Sequence, residues 1–264
     1  MNAEHSDINK EAWEARSIQY KNDIKSVLFK RFPDILNNHI HNFHKKFILE
    51  NIPNGDYKIL DAGCGYGRNS LPLIERNPDI RITGIDISEN FVKQFISNTG
   101  KPAYAGTLEK IPDEISKFDY IICVSVLMYV EKKNIDRAIQ NMLSHLKKEG
   151  KIILIEPLTS GYFFSSGFGI LNLFRKKNKT ESEHCFKAKE LKRHINNNGG
   201  IIFSEQRTPM TTIFIIPLYF FSLLMGNTIM NWIFKFISRL DGFLSKAKLP
   251  SLHCALVINI KNHE

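Results

Sequence analysis

The chain has 264 residues, 43% hydrophobic and 24% charged, with a formal net charge of +9. That length and balance exclude a disordered or fibrous chain and suit one elaborated globular domain with a sizeable core. The four cysteines, Cys64, Cys123, Cys185 and Cys254, form no C-x-x-C pair, which argues against a disulfide framework or a cysteine zinc site. The lysines are spread along the chain, so the charge reads either as a solvated basic surface or as attraction to anionic lipid or a phosphorylated substrate. The polar, acid-bearing start of the chain is unlike a secretory signal or a transit peptide, and a cytoplasmic location is expected. From Ile8 the pattern is helical, with Trp13, Ile18, Tyr20, Ile24, Val27 and Leu28 able to line one side. Pro33 interrupts it, and Asp34 to Leu49 reads as a second helix. His39, His41 and His44 lie there. His41 and His44 can share a face, but a metal site needs more ligands than these, so a surface helix and no metal are expected.

The stretch Lys58-Ile-Leu-Asp-Ala-Gly-Cys-Gly-Tyr-Gly-Arg-Asn-Ser70 organises the rest of the chain. An apolar run ends in an acid, three glycines stand at alternate positions, and a helix can open at Arg68. Strand, glycine turn and helix N-terminus together make a place for a charged ligand. Glycine at 63 and 65 permits a positive φ and a close approach that a Cβ would block. The dinucleotide fingerprint G-x-G-x-x-G would need glycine at 68, where Arg68 stands. The observed G-x-G-x-G, with Asp61 two residues before it, resembles motif I of the class I S-adenosyl-L-methionine (SAM) dependent methyltransferases. In that family the acid faces the methionine ammonium and the glycine backbone lies under the sulfonium side.

Further elements come in register with that resemblance. Ile80 to Asp86 is the second strand, and Asp86 falls about twenty residues past the turn, where an acid in such folds accepts the ribose hydroxyls. The resemblance places Ile87 against the adenine. A helix runs from Glu89 to Asn98, and Pro102 to Gly106 is a short third strand. Thr107-Leu108-Glu109-Lys110-Ile111-Pro112 matches the family's G-D-A-E-x-L-P segment with threonine for aspartate, which leaves the adenine to the Leu108 backbone N–H more than to Thr107. Phe118 to Ser125 is a continuous apolar strand, as in a parallel sheet buried on both faces. Ser125, at its end, is a further cofactor candidate. Val126 to Val130 replaces the family's paired histidines with Met128-Tyr129 and lacks the [DN]-P-P-[FY] signature of enzymes that methylate nucleic-acid bases; no nucleic-acid partner is expected. Asn134 to Leu146 reads as an amphipathic helix closed by Gly150. Lys151 to Pro157 is the fifth strand, Ile201 starts the sixth, and Leu252 to Ile260 is the seventh.

The fold expected is α/β: a doubly wound, Rossmann-like seven-stranded sheet whose last strand is antiparallel. Residues 1–52 would form an N-terminal helical lid, with Tyr20 a candidate contact to SAM. Residues 53–264 would form the SAM-binding domain, with insertions at about 158–185 and 210–248. The first insertion carries aromatics at 162, 163, 164, 168 and 174 and a basic run at 175–179. His184 lies in a stretch like the family's H-x-x-x-F-x-x-x-E-L region. The second insertion has no charge between Arg207 and Lys235, but it is too short and too interrupted for a span of about twenty residues. It reads as an apolar cap, either buried against the domain or meeting a membrane through 212–240, which would bring the protein to the inner membrane surface. The implied reaction is methyl transfer to oxygen or carbon of a small or lipid-like acceptor with an apolar body. His184, Tyr129 and Glu156 are the candidates for a base. A nicotinamide (NAD) dependent oxidoreductase and a non-catalytic binding protein of the same fold are the alternatives.

Overall fold

The computed structural model describes residues 3–112, 115, 117–160, 184–247 and 249–260. The strands are β1 (Lys58–Ala62), β2 (Arg81–Asp86), β3 (Ala103–Ala105), β4 (Phe118–Val124), β5 (Leu146–Pro157), β6 (Gly200–Arg207) and β7 (His253–Ile260). The helices are α1 (Ala3–Tyr20), α2 (Asp34–Asn51), α3 (Leu71–Arg76), α4 (Glu89–Thr99), α5 (Ile135–Ser144), α6 (Ala188–Asn197), α7 (Pro209–Ile213), α8 (Ile215–Leu224) and α9 (Asn227–Leu244). The seven strands form one sheet in the order β3-β2-β1-β4-β5-β7-β6. All neighbours pair parallel except β7, which is antiparallel to both β5 and β6. This is the doubly wound sheet expected.

Alternation along the strands divides the core between two faces. Leu60, Ile121, Ile152 and Leu256 face α5 and α6. Ile59, Ile122, Ile153 and Val257 face the other way, toward Phe47 and Ile48 of α2, Leu73 of α3 and Phe95 of α4. Of the two helices in 1–52, α2 is therefore built into the body. His39 and His44 are buried rather than on a surface helix, because α2 is covered by the sheet on one side and by the cap on the other. The first helix also stops short of its expected length: it ends at Tyr20, where Lys21 takes φ 47°, and Ile18 is exposed rather than packed.

Gly150 has a different role from the expected one. It does not close α5, whose last carbonyls are met by the His145 N–H. It lies inside β5, where a Cβ would stand 2.9 Å from the Phe118 carbonyl oxygen. The glycine answers a close approach of β4, not a helix end.

The segment after β6 folds as α7, α8 and α9. Ile215, Leu218, Met230 and Phe234 pack on Leu36 and Ile40 of α2. A buried polar latch fixes this cap. The Asp241 carboxylate accepts from the Met210 N–H (2.6 Å), the Thr211 N–H (3.2 Å) and the Thr211 hydroxyl (2.5 Å). The Thr211 hydroxyl oxygen in turn accepts from His39 Nε2 at 2.9 Å, and the His39 ring stacks on Phe234. Burial pushes His39 down to about 4, so it is neutral at ordinary pH. Asp241→Ala strands buried donors at the start of α7 and is expected to lower unfolding stability by roughly 2–3 kcal/mol, read as a lower denaturant midpoint with the slope unchanged. Among the described residues, no helix is long and apolar enough to cross a membrane. The aromatic and basic stretch at 161–183, most of the expected 158–185 insertion, lies outside the described residues.

Candidate cofactor cleft

The glycine turn closes the carboxyl end of β1 against β2. The N–H groups of Gly63 and Cys64 both donate to the Ile85 carbonyl, at 2.7 and 3.0 Å. Gly63 takes φ 79°, and a Cβ there would fall 2.3 Å from Val126 Cγ2. The helix does not open at Arg68 as the spacing suggests. Tight turns place the Ser70 N–H on the Gly67 carbonyl at 3.0 Å, and α3 begins at Leu71. The extra turn matters because it aims Arg68 and Ser70 inward.

Ser70 donates its hydroxyl proton to Asp61 Oδ2 at 2.7 Å. The other oxygen, Asp61 Oδ1, is buried without a hydrogen-bond partner. Burial pushes the Asp61 carboxyl up to about 6, against the pull of the Ser70 hydroxyl and the nearby Arg68. Asp86, at the end of β2, accepts from the Gly65 N–H at 2.8 Å and the Ser88 N–H at 2.9 Å. Burial pushes it, too, up to about 6. Two carboxylates thus flank one glycine turn at adjacent strand ends, where open α/β sheets bind ligands.

A cleft opens here, at the carboxyl ends of the parallel strands. Gly63, Gly65, Asp86, Ile87, Thr107, Leu108, Ser125 and Tyr129 all line it. Asp61 is buried just beneath the turn. Ser125 takes φ 57°, a strained setting for a residue with a Cβ and one that often marks a functional edge. Its N–H donates to the Ile155 carbonyl at 2.7 Å.

Besides Asp61, which lies beneath the turn, three sequence candidates are not in the lining. Tyr20 sits at the far end of α1, and that helix meets the cleft through Asn9 and Trp13 instead. Glu156 is fully buried in β5, and its Oε1 accepts from the N–H groups of Val126 and Leu127, each at 2.9 Å. Burial raises it to about 8; it holds the loop that carries Tyr129. The His184 N–H donates to the Met128 carbonyl at 2.9 Å, and its ring meets Phe186 edge-on.

The structure adds residues that sequence reasoning missed. Asn9 Nδ2 donates to the Tyr129 carbonyl at 2.9 Å, and Trp13 meets the Tyr129 ring edge-on at 5.0 Å. Glu14 caps α4 by accepting from the Glu89 N–H at 2.6 Å. These contacts lay α1 across the cleft. Arg68 also lines it, and its Nη1 donates to Nδ1 of His41 at 2.7 Å and of His44 at 3.3 Å. Burial pushes His41 down to about 3 and His44 well below its usual value. His253, edge-on to His44 at 4.7 Å, is pushed to about 3. Neutral imidazoles accepting from a guanidinium set its position without cancelling its charge. The available signal was an arginine directly after the third glycine. Among the described residues, no group of side chains could hold a metal ion.

Residues 60–152 match the family model described as "Methyltransferase domain". This stretch resembles a methyltransferase domain. Its glycine turn, both acids and the Tyr129 loop all fall inside the match. Among curated relatives, the malonyl-[acyl-carrier protein] O-methyltransferase of Herminiimonas arsenicoxydans is 30% identical over 120 residues, 45% of this chain and 44% of that protein. An uncharacterised protein of Rickettsia prowazekii, RP028, is 26% identical over 161 residues, 58% of this chain and 64% of that protein. The matches therefore span less than two thirds of either relative's length. Among solved structures, the magnesium protoporphyrin IX methyltransferase of Synechocystis PCC 6803 with bound SAH is 16% identical, with a TM-score of 0.62 over 96% of this chain and 98% of that one. The matched stretch and the elements around it share that fold.

Proposed function

We propose that the protein transfers a methyl group from SAM to an oxygen or carbon of a small or lipid-like acceptor with an apolar body. The observation that carries this reading is the buried, partnerless Asp61 Oδ1 beside the Gly63 cradle, with Asp86 across the turn. The residues present fit the group. Asp61 is built to accept from an ammonium, Arg68 to meet a carboxylate, and Asp86 keeps lone pairs for ribose hydroxyls. Ile87 and Leu108 supply apolar walls for a base. When bound, SAM supplies an already activated methyl on a sulfonium. The chain's own task is alignment and exclusion of water, and α1, latched by Asn9, Trp13 and Glu14, serves that end.

Of the three base candidates, Tyr129 alone lines the cleft, and it is proposed to face the acceptor. Glu156 acts as a positioning residue behind it. Tyr129→Phe is expected to lower kcat by about tenfold or more if the hydroxyl handles a proton, with SAM affinity nearly unchanged. An acceptor that carries its own charge, such as a carboxylate, needs no base, and the same variant would then leave kcat intact. Turnover is tested by incubating the full chain with SAM and a bacterial lipid extract and detecting S-adenosylhomocysteine. SAM binding without product would favour the non-catalytic alternative.

The two raised carboxyls give the binding a pH dependence. Their folded values, about 6 for each, lie above the unfolded ones. Their contribution to folding stability is therefore present at low pH and lost as pH rises through 6. For a cationic ligand the sign reverses, because only the ionised acids attract it. SAM affinity is expected to rise between about pH 5 and pH 7 and then level off, with protons released on binding near pH 6. Calorimetry in buffers of different ionisation heat would read both effects.

A further inference from the structure

The cap has two apolar faces, and the fold uses one of them. In α9, Met230, Phe234, Ile237 and Asp241 are buried against the body. At about 100° per residue, Ile229, Trp232, Phe236 and Phe243 fall in a sector about 60° wide on the opposite side. All four are exposed, Trp232 at 71% and Phe243 at 86%. Trp232 and Phe236 stack on each other, 6.4 Å between ring centroids, so the pair stands out as a unit. Next to it, α8 leaves Phe221, Leu223 and Leu224 exposed. Monomeric proteins rarely show a contiguous apolar patch beyond a few hundred Å² without a use for it.

The charges on this segment identify the partner. Asp241 is the sole acidic residue between Thr208 and Pro250, and it is buried in the latch with Thr211. Every exposed charge on α8 and α9 is positive. Lys235 and Arg239 lie along one edge of the aromatic sector, and Lys246 follows just beyond the helix. An apolar centre edged by cations and free of exposed carboxylates matches an anionic lipid surface. No described helix can span a bilayer, so the contact would be peripheral.

We propose that the outward face of α8 and α9 docks the protein on an anionic bilayer. Trp232, Phe236 and Phe243 insert at the headgroup level, and Lys235 and Arg239 meet lipid phosphates. The docking does not depend on methyl transfer, and it is read without cofactor or acceptor.

The test is flotation of the full chain with vesicles of phosphatidylcholine alone or of equal parts phosphatidylcholine and phosphatidylglycerol. Binding is expected to the anionic vesicles, at least about tenfold tighter than to the neutral ones, with a blue shift of Trp232 emission. Trp232→Ser/Phe243→Ser and Lys235→Glu/Arg239→Glu should each weaken it by about tenfold or more. All four side chains are exposed, so melting should stay unchanged and folding failure would be recognised. Absence of binding would overturn the proposal, as would binding that ignores lipid charge and both variants. A Trp232 emission already blue without vesicles would assign the face to another part of this chain. A dimer broken by Trp232→Ser/Phe243→Ser would assign it to a second copy.

Discussion

Asp86→Ala is expected to weaken SAM binding by about a hundredfold or more, roughly 3 kcal/mol. Two effects add. The first is the loss of the proposed acceptor for ribose hydroxyls, worth about 1.5–3 kcal/mol for hydrogen bonds to a charged group. The second is release of the turn, since the same carboxylate accepts from the Gly65 and Ser88 N–H groups. Asp86→Asn separates them. Its amide oxygen can keep one backbone bond, but its NH₂ faces a donor, so the variant should bind between wild type and Asp86→Ala. The ligands divide the effect again: SAM and adenosine should lose affinity together, whereas methionine, which lacks the ribose, should be affected only through the turn.

Gly63→Ala is the second change with a large expected effect. The residue holds φ 79°, and its Cβ would stand 2.3 Å from Val126 Cγ2. The left-handed backbone costs roughly 1–2 kcal/mol for a non-glycine residue. Relieving the overlap by moving Val126 disturbs a loop whose N–H groups are held by Glu156, adding about 1–3 kcal/mol. Together roughly 2–5 kcal/mol of stability should go, and SAM affinity should fall because the wall opposite Val126 shifts. Adding Val126→Ala should remove the overlap but not the backbone cost. The double variant should therefore recover part of the stability and stop short of wild type. A single variant as stable as wild type would contradict the geometry.

How much of the molecule is legible in the sequence depends on range. Strands β1, β2, β4 and β7 stand out because both faces of the sheet are covered, so each is a short apolar run bounded by glycine, proline or acids. The acids at 61 and 86 are legible because a strand–turn–helix–strand unit fixes their spacing. Their distinct environments are not, since the partnerless Asp61 Oδ1 and the backbone-bonded Asp86 differ only through Ser70, Gly65 and Ser88. Gly150 looks like a helix end from its neighbours alone. The backbone of β4, more than thirty residues away, sets its role. The histidines of α2 look like surface residues for a similar reason. His39 meets Thr211 and His44 meets His253, partners far along the chain that periodicity within one helix does not reveal. Glu156 and His184 have the chemistry of a base, yet the fold turns one to the backbone and leaves the other out of the lining.

The cap shows the same limit. Its lack of charge between Arg207 and Lys235 is plain in the sequence. Which apolar side chains meet α2 and which meet solvent depends on how α8 and α9 lie on the body.

The central claim, that Asp61 and Asp86 hold a sulfonium nucleotide across the glycine turn, is tested most directly by calorimetric titration of the purified full chain with SAM, beside NAD and beside the Asp61→Ala/Asp86→Ala variant. The account predicts one SAM bound per chain in the micromolar range, no heat from NAD, and loss of SAM binding in the double variant. Silence with SAM at millimolar concentration, a comparable response to NAD, or undiminished SAM binding without both carboxylates would contradict it.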